Sequence, residues 1–481
     1  MTQKERNASD TPSEISSRRV IEALYGAFGR DRGNRDIEAF RKKAIRKPAA
    51  FVAPECACDD NQYRVDLSPF DVADGPRDTS GRIAFRAIAG GKEFVVNEQG
   101  EKVGGEFDEA SDPQDVGGGI AFRVRRAEKV FILNGKGERV GGRYDETGLP
   151  RRAGGGIAFR ARIGGRCFIV GEVGGTVGGE YDAVGDPQDI GGRIAFRAMS
   201  GDRAFVVDEA GEKVGGGYDA VGDPQDIGGH IAFAATVKGR RFVVDYRGQR
   251  IGGEYDHVST PRSIGGHLAF WARQGTRYFV IDEAGEQKGE YDGVGDPQDI
   301  GGRMAFRAED RAKWFVVDEK GQRVGGLYDS VRDPRSVDGR IAFWAMLAHR
   351  YFIIDEDGQR VGGEYDIVSG PRYIGRQIVF KAVDRFRQFI VSGKEERMGG
   401  DYTYVSTPRD IHRRVFFWAR NAGNFFVANG AGKRTRREYD AMYFLKALGE
   451  SRAYVVARKN NFYVKETFDI DRDMMSPAGI E

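Results

Sequence analysis

Cysteine is scarce in this chain: three in 481 residues, at 56, 58 and 167. Three thiols make no disulfide framework. The single residue between Cys56 and Cys58 is also too short for the two-residue gap of a usual metal or redox pair, so we read a loop carrying two free thiols. No apolar run reaches membrane length, and no apolar N-terminal stretch resembles a secretion signal. The default expectation is a cytoplasmic protein that does not engage a membrane. Net charge is nearly absent, 75 Lys and Arg standing against 73 Asp and Glu, so no global field draws the chain to nucleic acid. Histidine numbers only five. There is no Gly-x-Ser-x-Gly, no phosphate-binding glycine loop and no pairing of nucleophile with base. The sequence therefore nominates no catalytic residue, no metal site and no cofactor, and the balance leans away from an enzyme.

Glycine, by contrast, is abundant: 69 of 481, about double the usual ~7%. The excess comes from one stretch, Glu180 to Gly216, EYDAVGDPQDIGGRIAFRAMSGDRAFVVDEAGEKVGG, which recurs from Phe70 almost to the C-terminus. One aromatic position marks the copies: Phe85, Phe122, Phe159, Phe196, Phe233, Phe270, Phe306, Phe343, Phe380, Phe417 and Tyr454. Each step is 37 residues except the 36 between Phe270 and Phe306, where Glu286–Asp292 has lost one residue. Eleven such units mean a repeat architecture.

Within a unit the apolar runs are short, rich in Val, Ile, Phe and Tyr, and punctuated by Asp-Pro and Gly-Gly turns. No helical period occurs in them. Taking the fourth unit as the pattern, strands are expected at Tyr181–Val184, Ile194–Ala198, Phe205–Asp208 and, more weakly, Lys213–Val214, with Gly185–Gly192 a loop. A single unit cannot bury its own apolar residues and must stack on neighbours. The fold class is thus all-β, about eleven three- or four-stranded repeats forming a propeller-like ring or an open array.

Residues 1–13 are polar and expected to be disordered. Residues 14–47 hold two basic amphipathic helices, one over Glu14–Phe28 and one starting at the cap Asn34 and stopping before Pro48. Residues 48–62 read as a linker, 63–468 as the repeat array and 469–481 as a tail. The last unit lacks the loop proline and the Gly-Gly fourth segment, while Tyr63–Leu67 matches the missing strand. Ring closure by that N-terminal strand would remove both free sheet edges. An open solenoid with an atypical cap, or two smaller rings split six and five at the short step, also satisfies the pattern.

The pattern Tyr-Asp-x-Val at Tyr328–Val331, Gly-x-Ile-Ala at Gly339–Ala342 and Lys313–Asp318 followed by Gly321 resembles the bacterial WG repeat, over about residues 70–466. The chain departs from it at the namesake Trp-Gly, which is here an aromatic pair such as Tyr278-Phe279, Trp314-Phe315 or Tyr351-Phe352. The resemblance implies a β-repeat protein, often propeller-like, with no catalytic residues to carry over.

Three sets of residues are candidates for chemistry. After the loop proline stands Arg or Gln in ten units, including Arg262, Arg335, Arg372 and Arg409; a donor in every unit suits structural bonds along one rim better than a ligand ring. Asp-Pro-Gln-Asp loops read as turn formers rather than Ca²⁺ sites, and the equivalent His230 and His267, with no third ligand and Arg in the same place in other units, are not read as a metal pair. The residue after the marker aromatic alternates indole with cation in units six to ten: Trp271, Arg307, Trp344, Lys381, Trp418. Such a stripe could stack on sugars, bases or peptide aromatics, or simply pack between sheets. Between Arg376 and Arg437 stand fourteen Lys and Arg against five Asp and Glu. The leading functional expectation is a non-enzymatic scaffold binding a protein or peptide. The alternative is a carbohydrate- or nucleic-acid-binding module using the Trp/basic stripe and the basic C-terminal units; a glycan-acting propeller enzyme comes last.

Overall fold

The computed structural model describes residues 63–476, apart from 80, 81, 395 and 422. The two expected N-terminal helices, the linker and Cys56–Cys58 lie outside the described residues. The rest forms eleven antiparallel sheets, one per repeat, closed into a propeller ring; among the described residues there is no helix.

The fourth blade shows the design. Its opening strand is broken into Ala183–Val184 and Gln188–Ile190, and both pieces pair with the long strand Arg193–Ser200. The stretch 185–187 interrupts them because proline has no N–H for the ladder. The segment expected to be all loop therefore hides a three-residue strand. Next come Arg203–Val207 and Lys213–Tyr218. That fourth strand is longer than its apolar pattern suggests. It bulges at its glycines so that Ala204 pairs with Tyr218 while Val206 pairs with Val214. Tyr218 thus ends one sheet, and Asp219 alone separates it from the next blade's opening strand Ala220–Val221.

Strand alternation sorts the long strand's side chains between two junctions. Ile194, Phe196 and Ala198 face the preceding blade, joining Phe205 and Val207 against its Ala158 and Ile169. On the far side, Ala204, Val206 and Val214 receive Phe233, Ala235 and Phe242 of blade five. Every sheet therefore offers aromatics on one side and small or β-branched residues on the other, which is how identical units interlock. Tyr218 fills the wedge: its ring lies edge-on to Phe233 and Phe242, both at 5.9 Å, and its hydroxyl oxygen accepts the N–H of Gly216 at 3.1 Å.

The residue missing at the short step falls in the bulge of the blade-six fourth strand, Gln287–Tyr291. The packing continues across it, through Val280, Phe306, Ala308 and Val317. The ring is accordingly not split six and five. Closure comes from Tyr63–Asp66, which pairs antiparallel with Phe462–Asp469 as the outer strand of blade eleven. Val65 and Leu67 join a core shared by the first and last blades, where Tyr463 meets Phe85 edge-on at 4.9 Å. The hydroxyls of Tyr463 and Tyr454 donate to the carbonyl of Asp74 (2.8 Å) and to the carboxylate of Asp78 (3.0 Å). Beyond blade eleven, Met474–Met475 returns to pair with Arg434–Thr435 of blade ten.

Neighbouring blades approach closely at glycines. A Cβ on Gly228 would stand 2.9 Å from the carbonyl oxygen of Gly266 in the next blade, and Gly228 already has a φ of +60°. Its neighbour Gly229 has a φ of +87° but open space around it. The pair separates two costs. Gly229→Ala should lose about 1 kcal/mol from the left-handed backbone alone, and Gly228→Ala about 3 kcal/mol because the blades must also part. Urea unfolding midpoints of the two variants would check this ordering.

Candidate binding surface

One recurring set of ion pairs holds each blade to the next. The Asp that follows the opening tyrosine or phenylalanine of a unit accepts from both sides of a junction. Asp145 takes Lys129 Nζ of the preceding blade (2.6 Å) and the Gly164 N–H in the hairpin turn of its own blade (2.9 Å). Asp108 does the same with Lys92 and Ala127, Asp256 with Arg240 and Gly275, Asp329 with Lys313 and Ala348. Read from the sequence, this residue is merely part of a strand. A signal is nonetheless present: a basic residue stands sixteen positions earlier in each of these copies.

The Asp-Pro loops do a second job. Their first Asp accepts from the residue after the preceding blade's proline, from the residue after its marker aromatic, or from both. Asp186 meets Arg151 at 2.8 Å and Arg160 at 3.4 Å. Asp112 meets Arg77 at 2.9 Å, and Asp223 meets Arg197 at 2.8 Å. Asp296 takes Arg262 at 2.6 Å and the indole N–H of Trp271 at 2.9 Å. Asp333 meets Arg307 at 2.7 Å. Where Gln follows the proline, its amide instead turns back to the carbonyl of its own loop Asp, as Gln225 does to Asp223 at 3.0 Å. The second Asp of the loop accepts backbone N–H groups at two glycine turns: Asp226 takes Gly229 (2.6 Å) and, across the junction, Gly191 (3.1 Å).

The structure spreads the Trp/basic stripe over five blades, one residue each, and half-buries most of it between sheets. Trp271 packs on the junction core of Val280 and Phe306, Trp344 on that of Val361 and Phe380, Trp418 on that of Phe416 and Leu445. Arg307 lies over the Trp314 ring at 5.0 Å. Lys381 is 5% exposed, 5.0 Å from the Tyr404 ring, and desolvation pushes its pKa down to about 8. Of the four rim arginines, Arg262 is ion-paired, whereas Arg335, Arg372 and Arg409 form no ion pair among the described residues. His230 stacks on Tyr246 and His267 bonds Glu283 at 2.7 Å, so the two rings serve different partners. Among the described residues no group of three His, Cys, Asp or Glu is placed to hold a metal.

A cleft of about 830 Å³ opens across blades five to seven, lined among others by Gln225, His257, Thr260, Arg262, Trp271 and Asp296. Blade five carries Ala234 where the others of blades one to ten carry arginine, tryptophan or lysine, so no long side chain extends from that position toward Thr260. One wall is the indole of Trp271 with the His257 ring stacked on it, 5.2 Å between centroids and 11° between planes. Desolvation, then the charges of Arg241 and Arg273, lower the His257 pKa, and its Nδ1 has no hydrogen-bond partner among the described residues.

No protein-family model matches this chain, and no curated protein does. Among solved structures it is similar to a eukaryotic initiation factor, at 11% identity over 73% of this chain and 98% of that one, TM-score 0.36. It is also similar to the β-propeller domain of the Trilobed protease from Pyrococcus furiosus, at 11% identity over 51% and 92%, TM-score 0.26. A third likeness is to AztD from Citrobacter koseri, at 12% identity over 70% and 94%, TM-score 0.29. Overlaps this low carry no functional argument. No helix among the described residues is long and apolar enough to cross a membrane.

The Asp latches make acid sensitivity a property of the ring. Hydrogen bonds from Lys92, Lys129 and Lys313 hold Asp108, Asp145 and Asp329 below the usual carboxylate range; for Asp256 the Gly275 N–H contributes most. A carboxyl lowered in the folded state stabilises fully above its unfolded value of about 3.9 and loses that contribution as pH falls through the folded value. Thermal unfolding should therefore be flat from neutral pH to about 5 and fall steeply below about 4. The quadruple Asp→Asn variant should start lower at neutral pH and show a shallower acid slope.

Proposed function

We propose that this protein is a non-enzymatic interaction scaffold, built on a WG-like repeat, that binds a protein or peptide segment. The observation that carries this reading is the cleft beside Trp271. A flat indole and imidazole wall supplies apolar area, while Gln225, Arg262 and Asp296 provide donors and acceptors at its side. Aromatic anchors ringed by polar groups are the usual composition of a peptide-binding hot spot, and an extended backbone can use both kinds of group at once. A carbohydrate would exploit the same indole face, which makes it the second reading.

Selection of displayed random peptides on the full chain tests the proposal. Selected peptides should lose about tenfold or more in affinity to Trp271→Ala, as truncation of an aromatic anchor does, with the variant's β-sheet circular dichroism unchanged at the assay temperature although its unfolding temperature falls. Peptides indifferent to Trp271→Ala would overturn the cleft as the site. Binding of oligosaccharides in place of peptides, abolished by the same substitution, would transfer the cleft to the carbohydrate reading.

A further inference from the structure

Arginine after the loop proline obeys a rule through most of the ring. In blades one, three and six it is Arg77, Arg151 and Arg262, and each reaches a carboxylate in the next loop: Asp112, Asp186 and Asp296, at 2.9, 2.8 and 2.6 Å. Where the next loop has no such acid, at Leu149 and Thr260, the preceding blade carries glutamine, Gln114 and Gln225. Gln188 and Gln298 precede loops whose Asp223 and Asp333 are taken by Arg197 and Arg307 instead. In blades one to seven, then, arginine stands at this position only with an acid ahead of it, as a rim that neutralises itself requires.

Blades eight, nine and ten break the rule in succession. Arg335 faces Gly370, Arg372 faces the loop of Thr407, and Arg409 faces a last blade with no proline loop. The socket is still formed. A Cβ on Gly370 would stand 2.9 Å from the guanidinium carbon of Arg335, so this side chain still reaches toward the loop position that an aspartate fills in its paired counterparts. None of the three arginine side chains makes an ion pair or hydrogen bond among the described residues, although their backbones pair in the sheet. Arg335 and Arg372 are exposed; Arg409 is half-buried, with its Nε unsatisfied and its guanidinium 5.6 Å from the Trp418 ring. They are near enough to feel one another: partial desolvation by the surrounding loops, then the charges of Arg409 and Arg335, lower the pKa of Arg372. Of the acids in these loops, Asp333 is ion-paired with Arg307, Asp410 accepts the N–H of Arg413, and Asp338 bonds Tyr373.

Three adjacent guanidiniums with their acceptors deleted cost stability through mutual repulsion, which an external anion would relieve. We propose that Arg335, Arg372 and Arg409 form a docking surface for an acidic peptide segment of a partner protein, whose Asp or Glu carboxylates occupy the places of the missing loop aspartates. The carboxylate is the preferred anion because it is the group that the same arginine holds in blades one, three and six. The planar fork of guanidinium bonds it in the geometry already used there. This assignment rests on the reading of the protein as a peptide-binding scaffold and names a second surface and its chemistry.

The test uses the full chain and a fluorescent peptide of alternating Asp and Glu, its Asn/Gln counterpart, and an oligothymidylate of similar length, read by anisotropy at low and high salt. The acidic peptide should bind in a salt-sensitive way and the amide peptide should not. Arg335→Gln, Arg372→Gln and Arg409→Gln import the residue that other blades carry at this position, so folding should be kept, and each should weaken binding by about tenfold. Thr407→Asp restores the acid within the ring; it should weaken the acidic peptide comparably while raising the unfolding temperature. Unchanged binding in the triple glutamine variant, or no binding of the acidic peptide at all, would overturn the assignment. So would tighter, arginine-dependent binding of the oligothymidylate, which would make the surface one for phosphate backbones. Peptides selected at the Trp271 cleft report separately. Failure of the acidic peptide alone removes only this surface, whereas failure of both kinds removes the scaffold reading as well.

Discussion

The distance between adjacent sheets governs this molecule, and glycine sets it. Two contacts recur at the junctions. One brings Gly-Gly turns together, as at Gly228 and Gly266. The other brings the bulge glycine of a fourth strand against the next blade's turn, where a Cβ on Gly248 would come within 2.8 Å of the Gly215 Cα. Both are approaches of backbone to backbone, so any side chain would wedge the blades apart. Only at that spacing can Tyr218 lie edge-on to two phenylalanines of the next sheet, or one aspartate bond a lysine of one blade and a turn of another.

On this spacing rests an electrostatic arrangement in which each blade completes its neighbour. The carboxylates after the opening aromatics span each successive junction from Lys92–Asp108 to Arg350–Asp366. The Asp-Pro carboxylates reinforce several of the same junctions. An individual exposed pair contributes little, but here many also satisfy backbone donors and fix the angle between sheets. Departures from pairing stand out for that reason. Ala234 opens a cleft beside Trp271, and the loss of acceptors after blades eight to ten leaves three arginines in a row.

Much of this architecture is legible in the amino-acid sequence. The period, the number of sheets, a strand at Tyr63 and the burial of the marker phenylalanines follow from spacing and from the alternation of apolar residues. The short strand Gln188–Ile190 is not legible, because its Gln-Asp-Ile carries no apolar alternation and is held by pairing alone. The shared boundary at Asp219 is hidden for a related reason. The motif Tyr-Asp-Ala-Val reads as one strand, yet the tyrosine serves one sheet and Ala220 the next. The stripe of Trp271, Arg307, Trp344, Lys381 and Trp418 looks continuous in sequence, but the ring places each residue at a different junction.

By itself the sequence determined the repeat and its all-β character, since these depend on residue type and spacing within and between copies. Which blade is neighbour to which at the closure, and whether the short step divides the ring, were decided by tertiary structure. Closure joins residues about four hundred positions apart, and nothing local in Tyr63–Asp66 distinguishes an outer strand from a cap. The same holds for the arginines. Arg262 and Arg335 are identical in local sequence context, Pro-Arg-Ser, and differ only in what the next blade sets before them: the carboxylate of Asp296 in one case, Gly370 in the other. A charge is neutralised or free according to its neighbour in space, and that neighbour is supplied by the fold.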